Sequence, residues 1–191
     1  MQQSEIKPLD RHGVGASCTV LPDGEWPSVF EFLTQHFQNV DSSEWLARIR
    51  NGSVLDSHGK QIGLNTPYQP HTKIYYYRSL ESETAIPFEA KVLYQDDYLV
   101  VADKPHFLPV TPAGRYLQQT LLVRLKRQLG VDTLAPVHRI DRETAGLVLF
   151  TIQPATRGCY HDLFRQHSVQ KIYQAVAPWR ADLALPLIYR S

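Results

Sequence analysis

The chain has 191 residues, 43% of them apolar, and 20 Lys and Arg against 19 Asp and Glu give a net charge of +1. That length holds one large domain or two small ones, and the apolar share excludes a disordered chain. No apolar run reaches the roughly 20 residues of a membrane span, and MQQSEIKPLDRHG has no apolar signal core, so the expectation is a cytoplasmic protein without a membrane partner. Cys18 and Cys159 lie far apart and neither has a C-x-x-C neighbour, so no disulfide framework and no zinc site is expected. The charge is uneven. Residues 1–103 hold 8 Lys and Arg against 14 Asp and Glu, whereas residues 104–171 hold 10 against 4, which makes the second stretch the candidate anion-binding face.

Residues 1–24 mix Gly, Pro and polar residues without a period and read as an irregular leader. Between Glu25 and Phe37, Phe30, Leu33 and Phe37 recur at helical spacing. A second helix starts near Asp41, where Asp41 and Glu44 have capping-box spacing and Trp45, Leu46 and Ile49 would face inward. Gly52 stands where a helix stop is expected, and SVLDSHGKQI reads as a strand, a turn at His58-Gly59 and another strand. Together these make a small helix-hairpin domain over residues 25–82, with polar SLESET (79–84) as the linker to a second domain, 83–191.

FEAKVLYQDDYLVVADKP opens the second domain as a β-hairpin around Gln95-Asp96-Asp97, with Lys104-Pro105 ending its second strand. Leu121, Leu122, Leu125 and Leu129 mark one face of a helix, Arg124, Lys126 and Arg127 lie off that face, and Gly130 is the stop. GLVLFT (146–151) suits a buried strand, VQKIYQAVA (169–177) alternates like another, and a helix over about 155–166 joins them.

The polar cluster His138-Arg139-Ile140-Asp141-Arg142-Glu143-Thr144 immediately precedes the strand 146–151. A loop at the mouth of a buried strand is held rigidly at one end, so it can aim a carboxylate and two guanidiniums into a cleft. Arg139 and Arg142 would favour an ionised Asp141 and suit a phosphate-bearing substrate. A surface Asp-Arg ion pair beside a Thr-Ala-Gly turn explains the same composition, so residue types alone leave both readings open. His106, His138, His161 and His167 lack the spacing and shared face of a metal-binding helix, and no metal is expected. A kinase catalytic loop is excluded, because Asp141 comes one residue too late after His138-Arg139.

HRIDRETAGLVLF resembles HRLDRxTSGLLLF, the signature of RluA-type RNA pseudouridine synthases, with Ile140 for Leu and Ala145 for Ser. LYQDDYLVVADKPHFLPVTPAG resembles that family's first motif. Lys171-Ile172-Tyr173-Gln174-Ala175 resembles its K-x-Y-x-A motif, with Tyr173 thirty-two positions after Asp141. The resemblance implies an α+β fold: a mixed, mainly antiparallel sheet of a catalytic domain, incomplete here, preceded by the helix-hairpin domain. Residues 29–78 of the latter resemble the RNA-binding module named after ribosomal protein S-four.

The implied activity is isomerisation of specific uridines to pseudouridine in ribosomal or transfer RNA, without a cofactor. Asp141 is then the catalytic carboxylate, and Tyr173 packs on the target uracil and helps remove its C5 proton; a half-buried strand tyrosine is the plainer reading of that residue. Arg139 would hold the RNA with the uridine flipped out, and Lys104, His138, Arg142, Arg124 and Arg127 are the further candidates for RNA contacts. The family's third motif, of the type L-x-T-G-R-x-H-Q-I-R, has no match in these residues. The expectation is therefore a fragment of a longer enzyme, or else a truncated RNA-binding module without catalysis. Nothing in the residues sets an oligomeric state.

Overall fold

The computed structural model describes residues 8–80 and 82–178. Its first half consists of β1 (Ser17–Val20), α1 (Val29–His36), α2 (Ser42–Arg50), β2 (Val54–Asp56) and β3 (Lys73–Tyr76), with the strands forming an antiparallel sheet in the order β1-β3-β2. The Ser28 hydroxyl accepts the Glu31 N–H, so α1 begins after Pro27 rather than at Glu25. The Asp41 carboxylate accepts the Ser43 N–H at 2.8 Å, and the Ser43 hydroxyl first, with that N–H, holds its carboxyl below the usual carboxylate range. The reciprocal half of the capping box is missing because Glu44 reaches forward to Arg48 instead.

Phe32, Leu33, Trp45, Ile49, Val54 and Ile74 fill the core of this half. Trp45 and Ile49 are buried as expected, whereas Leu46, Phe30 and Phe37 stay at its margin. Gly52 takes φ +68, a left-handed stop that a side chain would strain. The turn at His58-Gly59 forms, but Leu55 meets Gln61 in one isolated bridge, and β2 builds its ladder with β3. The leader is corrected too: Ser17 to Val20 pair with Tyr76 to Lys73. Four residues are too few to display a period, and it is the free edge of β3 that recruits them.

In the second half, β4 (Lys91–Gln95), β5 (Leu99–Lys104), α3 (Leu121–Leu129), β6 (Ala135–Pro136), β7 (Gly146–Thr151) and α4 (Arg157–Arg165) follow in order. The sheet runs β4-β5-β7-β6, and all its described pairings are antiparallel. The fold is therefore α+β. Asp96 closes the hairpin by accepting the N–H groups of Tyr98 and Leu99, both at 2.7 Å. Val100, Ala102, Val148 and Phe150 present the inner face of the sheet to Leu121 and Leu125 of α3.

The strand expected over residues 169–177 is absent among the described residues; that segment lies outside any ladder and is exposed apart from the half-buried Val169. Part of the side of β7 away from β5 is already taken: Val137 N–H donates to the Leu149 carbonyl, Leu149 N–H donates to the His138 ring, and β6 pairs with Phe150 and Thr151.

The two halves are tied together by the segment before β1 and by the stretch read as a linker. Asp10 forms an ion pair with Lys126 in which both side chains are largely buried. Arg11 donates to the Gly52 carbonyl and the Ser53 hydroxyl and lies 4.0 Å over the Tyr77 ring. Glu83 accepts three successive N–H groups, from Leu117, Gln118 and Gln119, at 2.7–2.9 Å. Asp10→Ala leaves the Lys126 ammonium buried without its partner. It is expected to lower the unfolding free energy by about 3 kcal/mol, as urea titration would show; a loss below about 0.5 kcal/mol would mean that the pair is solvated.

Candidate active site

Lys104 pairs with Gly146 in the β5–β7 ladder, so the end of one strand and the start of the other reach the same end of the sheet. This register brings Lys104-Pro105-His106 against the 138–145 loop. Gly146 enters β7 at φ +131, a conformation closed to residues with a Cβ, and so lets the loop fold back over the strand ends.

Within the loop, the Thr144 N–H donates to the Asp141 carbonyl at 3.1 Å and closes a turn. The next two carbonyls are held from below: Lys104 Nζ donates to the Arg142 oxygen at 3.1 Å and to that of Pro105 at 2.9 Å, and His106 Nδ1 donates to the Glu143 oxygen at 2.6 Å. Lys104 is 0% exposed, so the phosphate contact expected of it gives way to a positioning role. Burial pushes its ammonium down to about 8, while the carboxylates of Glu143 and Asp141 pull the other way.

Asp141 is exposed at the start of this turn, and Arg139, two residues earlier, is exposed as well. Arg142, expected to flank Asp141, turns instead to the Glu143 carboxylate at 2.8 Å and to the Tyr116 hydroxyl at 3.1 Å. That guanidinium holds the Glu143 carboxyl below its usual range. His138 is half-buried, stacks on Phe164 with ring centroids 4.7 Å apart, and accepts the Leu149 N–H at Nε2, so its proton sits on Nδ1. Burial, with Lys171 adding to it, lowers its pKa and favours the neutral ring.

Two open clefts meet at the loop. One, of about 310 Å³, is lined by His138, Ile140, Ala145, Leu147, Phe164 and Tyr173 among others. The other, of about 730 Å³, is lined by His106, Glu143, Thr144, Ala145, Ile172 and Tyr173 among others. Tyr173 and Ala145 belong to both, and Asp141 lies in the chain between Ile140 of the first and Glu143 of the second. Tyr173 is 59% exposed, so the structure does not bury it as a strand tyrosine.

Arg124 lies away from these clefts in its bonding: it donates to the carbonyls of Ile86 and Phe88. Arg127 is exposed and makes one long bond, 3.3 Å, to the His12 carbonyl. Tyr116 and His106 brace the loop although sequence reasoning gave them no part there. Only their meeting in space reveals them.

Comparison with known proteins agrees with this geometry. Residues 98–186 match the family described as RNA pseudouridylate synthase, a span that contains β5, the Asp141 loop and Tyr173. This segment belongs to that family. An uncharacterized RNA pseudouridine synthase of Synechocystis sp. is 32% identical over 148 residues, covering 78% of this chain and 50% of its own. RNA pseudouridine synthase 5 of Arabidopsis thaliana is 30% identical over 66% of this chain and 37% of its own. The mitochondrial tRNA pseudouridine(32) synthase of Saccharomyces cerevisiae is 36% identical over 76% of this chain and 31% of its own. The chain thus spans between about a third and a half of the length of these curated relatives.

The buried lysine of this pseudouridine synthase segment has a measurable signature. Its folded pKa, about 8, lies below the ordinary 10.5, so above pH 8 the folded chain has released a proton that the unfolded chain still holds. Stability contributed at this site therefore rises from about pH 8 towards 10.5. The unfolding free energy of the parent minus that of Lys104→Met should be larger at pH 10 than at pH 7 by on the order of 2 kcal/mol. A difference that stays flat between those pH values would show that the ammonium is not buried.

Proposed function

We propose that the protein is an RNA pseudouridine synthase that converts specific uridines in ribosomal or transfer RNA to pseudouridine. The observation that carries this reading is the exposed Asp141 on a loop pinned by Lys104 and His106, in which Ile140 and Glu143 line the two clefts that Tyr173 shares. Catalysis needs such fixing, because a carboxylate that wanders by an ångström loses most of its advantage.

In the reaction the N1–C1′ bond of the uridine breaks, the base turns, and a C5–C1′ bond forms; the C5 proton leaves and N1 regains a proton. Asp141 is the carboxylate that acts on the nucleotide, and the Tyr173 ring packs on the uracil with its hydroxyl near C5. Arg139, exposed two residues before Asp141, takes a phosphate of the flipped strand and helps offset the few kcal/mol of unstacking. Arg127 serves as a second phosphate contact, while His138 and Arg142 act through the loop they hold. The yeast relative's name supports transfer RNA as the substrate class.

The first half, with its two helices and short strands, serves as an S-four-like RNA-binding domain; Arg50 is exposed there, while Arg48 is buried against Glu44 and Trp45. The cytosol suits both cysteines, which are free and exposed, and among the described residues no helix is long and apolar enough to cross a membrane.

Asp141→Asn removes the charge and keeps the shape. In the full-length protein it is expected to abolish tritium release from RNA labelled at uridine C5 while leaving the thermal melt and RNA affinity unchanged. A variant keeping a tenth of the parent rate would remove Asp141 from the chemistry. Tyr173→Phe keeps the ring and loses the hydroxyl, and its rate should fall on the order of 100-fold if that hydroxyl serves proton removal. Normal turnover by Tyr173→Phe would leave the residue a packing role alone.

A further inference from the structure

Phe107 follows the Lys104-Pro105-His106 segment and has no part in the reading above. Its backbone is left-handed, at φ +66. Four non-glycine residues among those described have positive φ, and the other three are His12, His71 and His167, a residue type that enters this region several-fold more readily. A bulky aromatic there is a backbone outlier, and such outliers gather at sites of function. Burial does not explain it, because the Phe107 side chain is 51% exposed.

The ring is also not alone. Its centroid lies 6.2 Å from the ring of Phe88, itself 46% exposed, and 5.9 Å from the ring of His106. His106 lines the larger cleft together with Tyr173 and holds the Glu143 carbonyl of the Asp141 loop. Three rings thus continue outward from the catalytic cleft. The outermost is held in place from behind: Arg124 donates to the Phe88 carbonyl at 2.6 Å and to that of Ile86 at 2.7 Å, which fixes the strand entry under Phe88. Scattered exposed aromatics need no explanation, but a strained, backed and contiguous pair at the rim of a cleft does.

We propose that Phe107, backed by Phe88, is a stacking platform for the unpaired RNA base next to the target uridine, and so a residue that sets which sequences are accepted. The inference rests on the reading of the protein as an RNA pseudouridine synthase. Extruding a uridine strips its neighbour of a stacking face, and an exposed phenyl ring beside the cleft replaces that face without reading a hydrogen-bond pattern. The left-handed backbone accompanies a ring that stays half exposed. Strain in the free protein is thereby exchanged for contact in the complex.

The test uses the full-length protein and a single-stranded oligouridylate RNA carrying one 2-aminopurine, whose fluorescence falls when it stacks. The parent and Phe107→Tyr should quench the probe and bind within about twofold of each other. Phe107→Gly should lose the quenching and bind about tenfold or more weakly, with an unchanged salt slope because no phosphate contact has been removed. Glycine accepts φ +66 freely, so Phe107→Gly should melt at or above the parent temperature. The proposal is overturned if Phe107→Gly quenches and binds like the parent, which would assign the rings to a protein neighbour. It is equally overturned if Phe107→Tyr loses as much as Phe107→Gly. Asp141→Asn should quench like the parent, so a failure of the catalytic reading and a failure of the platform appear in different measurements.

Discussion

The end of the sheet depends on one buried ammonium. Lys104 has no access to solvent, and desolvation alone would expel its charge. Two carbonyl oxygens and the negative charges of Glu143 and Asp141 retain it, and the price of that arrangement is that the loop carrying those groups must stay where it is. A lysine confined in this way acts as an internal cation for the Asp141 turn. If the loop opened, the ammonium would face an apolar sheet with only one carbonyl. The carboxylate is thus held by what lies beneath it and remains bare on its outer side.

The same logic runs through the rest of the basic surplus. Lys126 is buried on Asp10, Arg124 binds carbonyls, and Arg142 is shared between Glu143 and Tyr116. Much of the positive charge after residue 103 therefore holds the fold together, and a smaller set, with Arg139 and Arg127 in it, stays exposed. Net charge along a chain counts both kinds alike. Only burial separates them.

Local signals were strong enough to place the β4–β5 hairpin, α3 with its Gly130 stop, β7 and α4. An acidic turn between β-rich runs, a leucine face and an apolar hexamer each act over a few residues. The segment 169–177 alternates as well as any strand does, yet at the Leu149–Thr151 end of β7 the side away from β5 is already occupied by β6, Val137 and His138. β1 fails in the opposite sense, since its four residues carry no period and are drafted by the edge of β3. Asp41 and Glu44 have capping-box spacing, but Arg48 one turn on offers Glu44 a charge in place of a backbone N–H. In each case a partner that the folded chain brings into bonding distance outweighed the spacing read along the sequence.

For the site, the residue string by itself carried the likeness of the 98–186 segment to the RNA pseudouridylate synthase family and marked Asp141 and Tyr173 as candidates, because their motifs are short and local. It also made the α+β class legible through the switch from two-residue to helical periods. The tertiary structure alone decided that Lys104 lies under the Asp141 loop and not on the surface, that Arg142 turns away from Asp141, and that Phe107 stays half exposed in a left-handed backbone. The reason is physical. Charge and chemistry belong to a residue, whereas burial, pairing and backbone strain arise only once the antiparallel register of β5 and β7 sets Lys104 opposite Gly146.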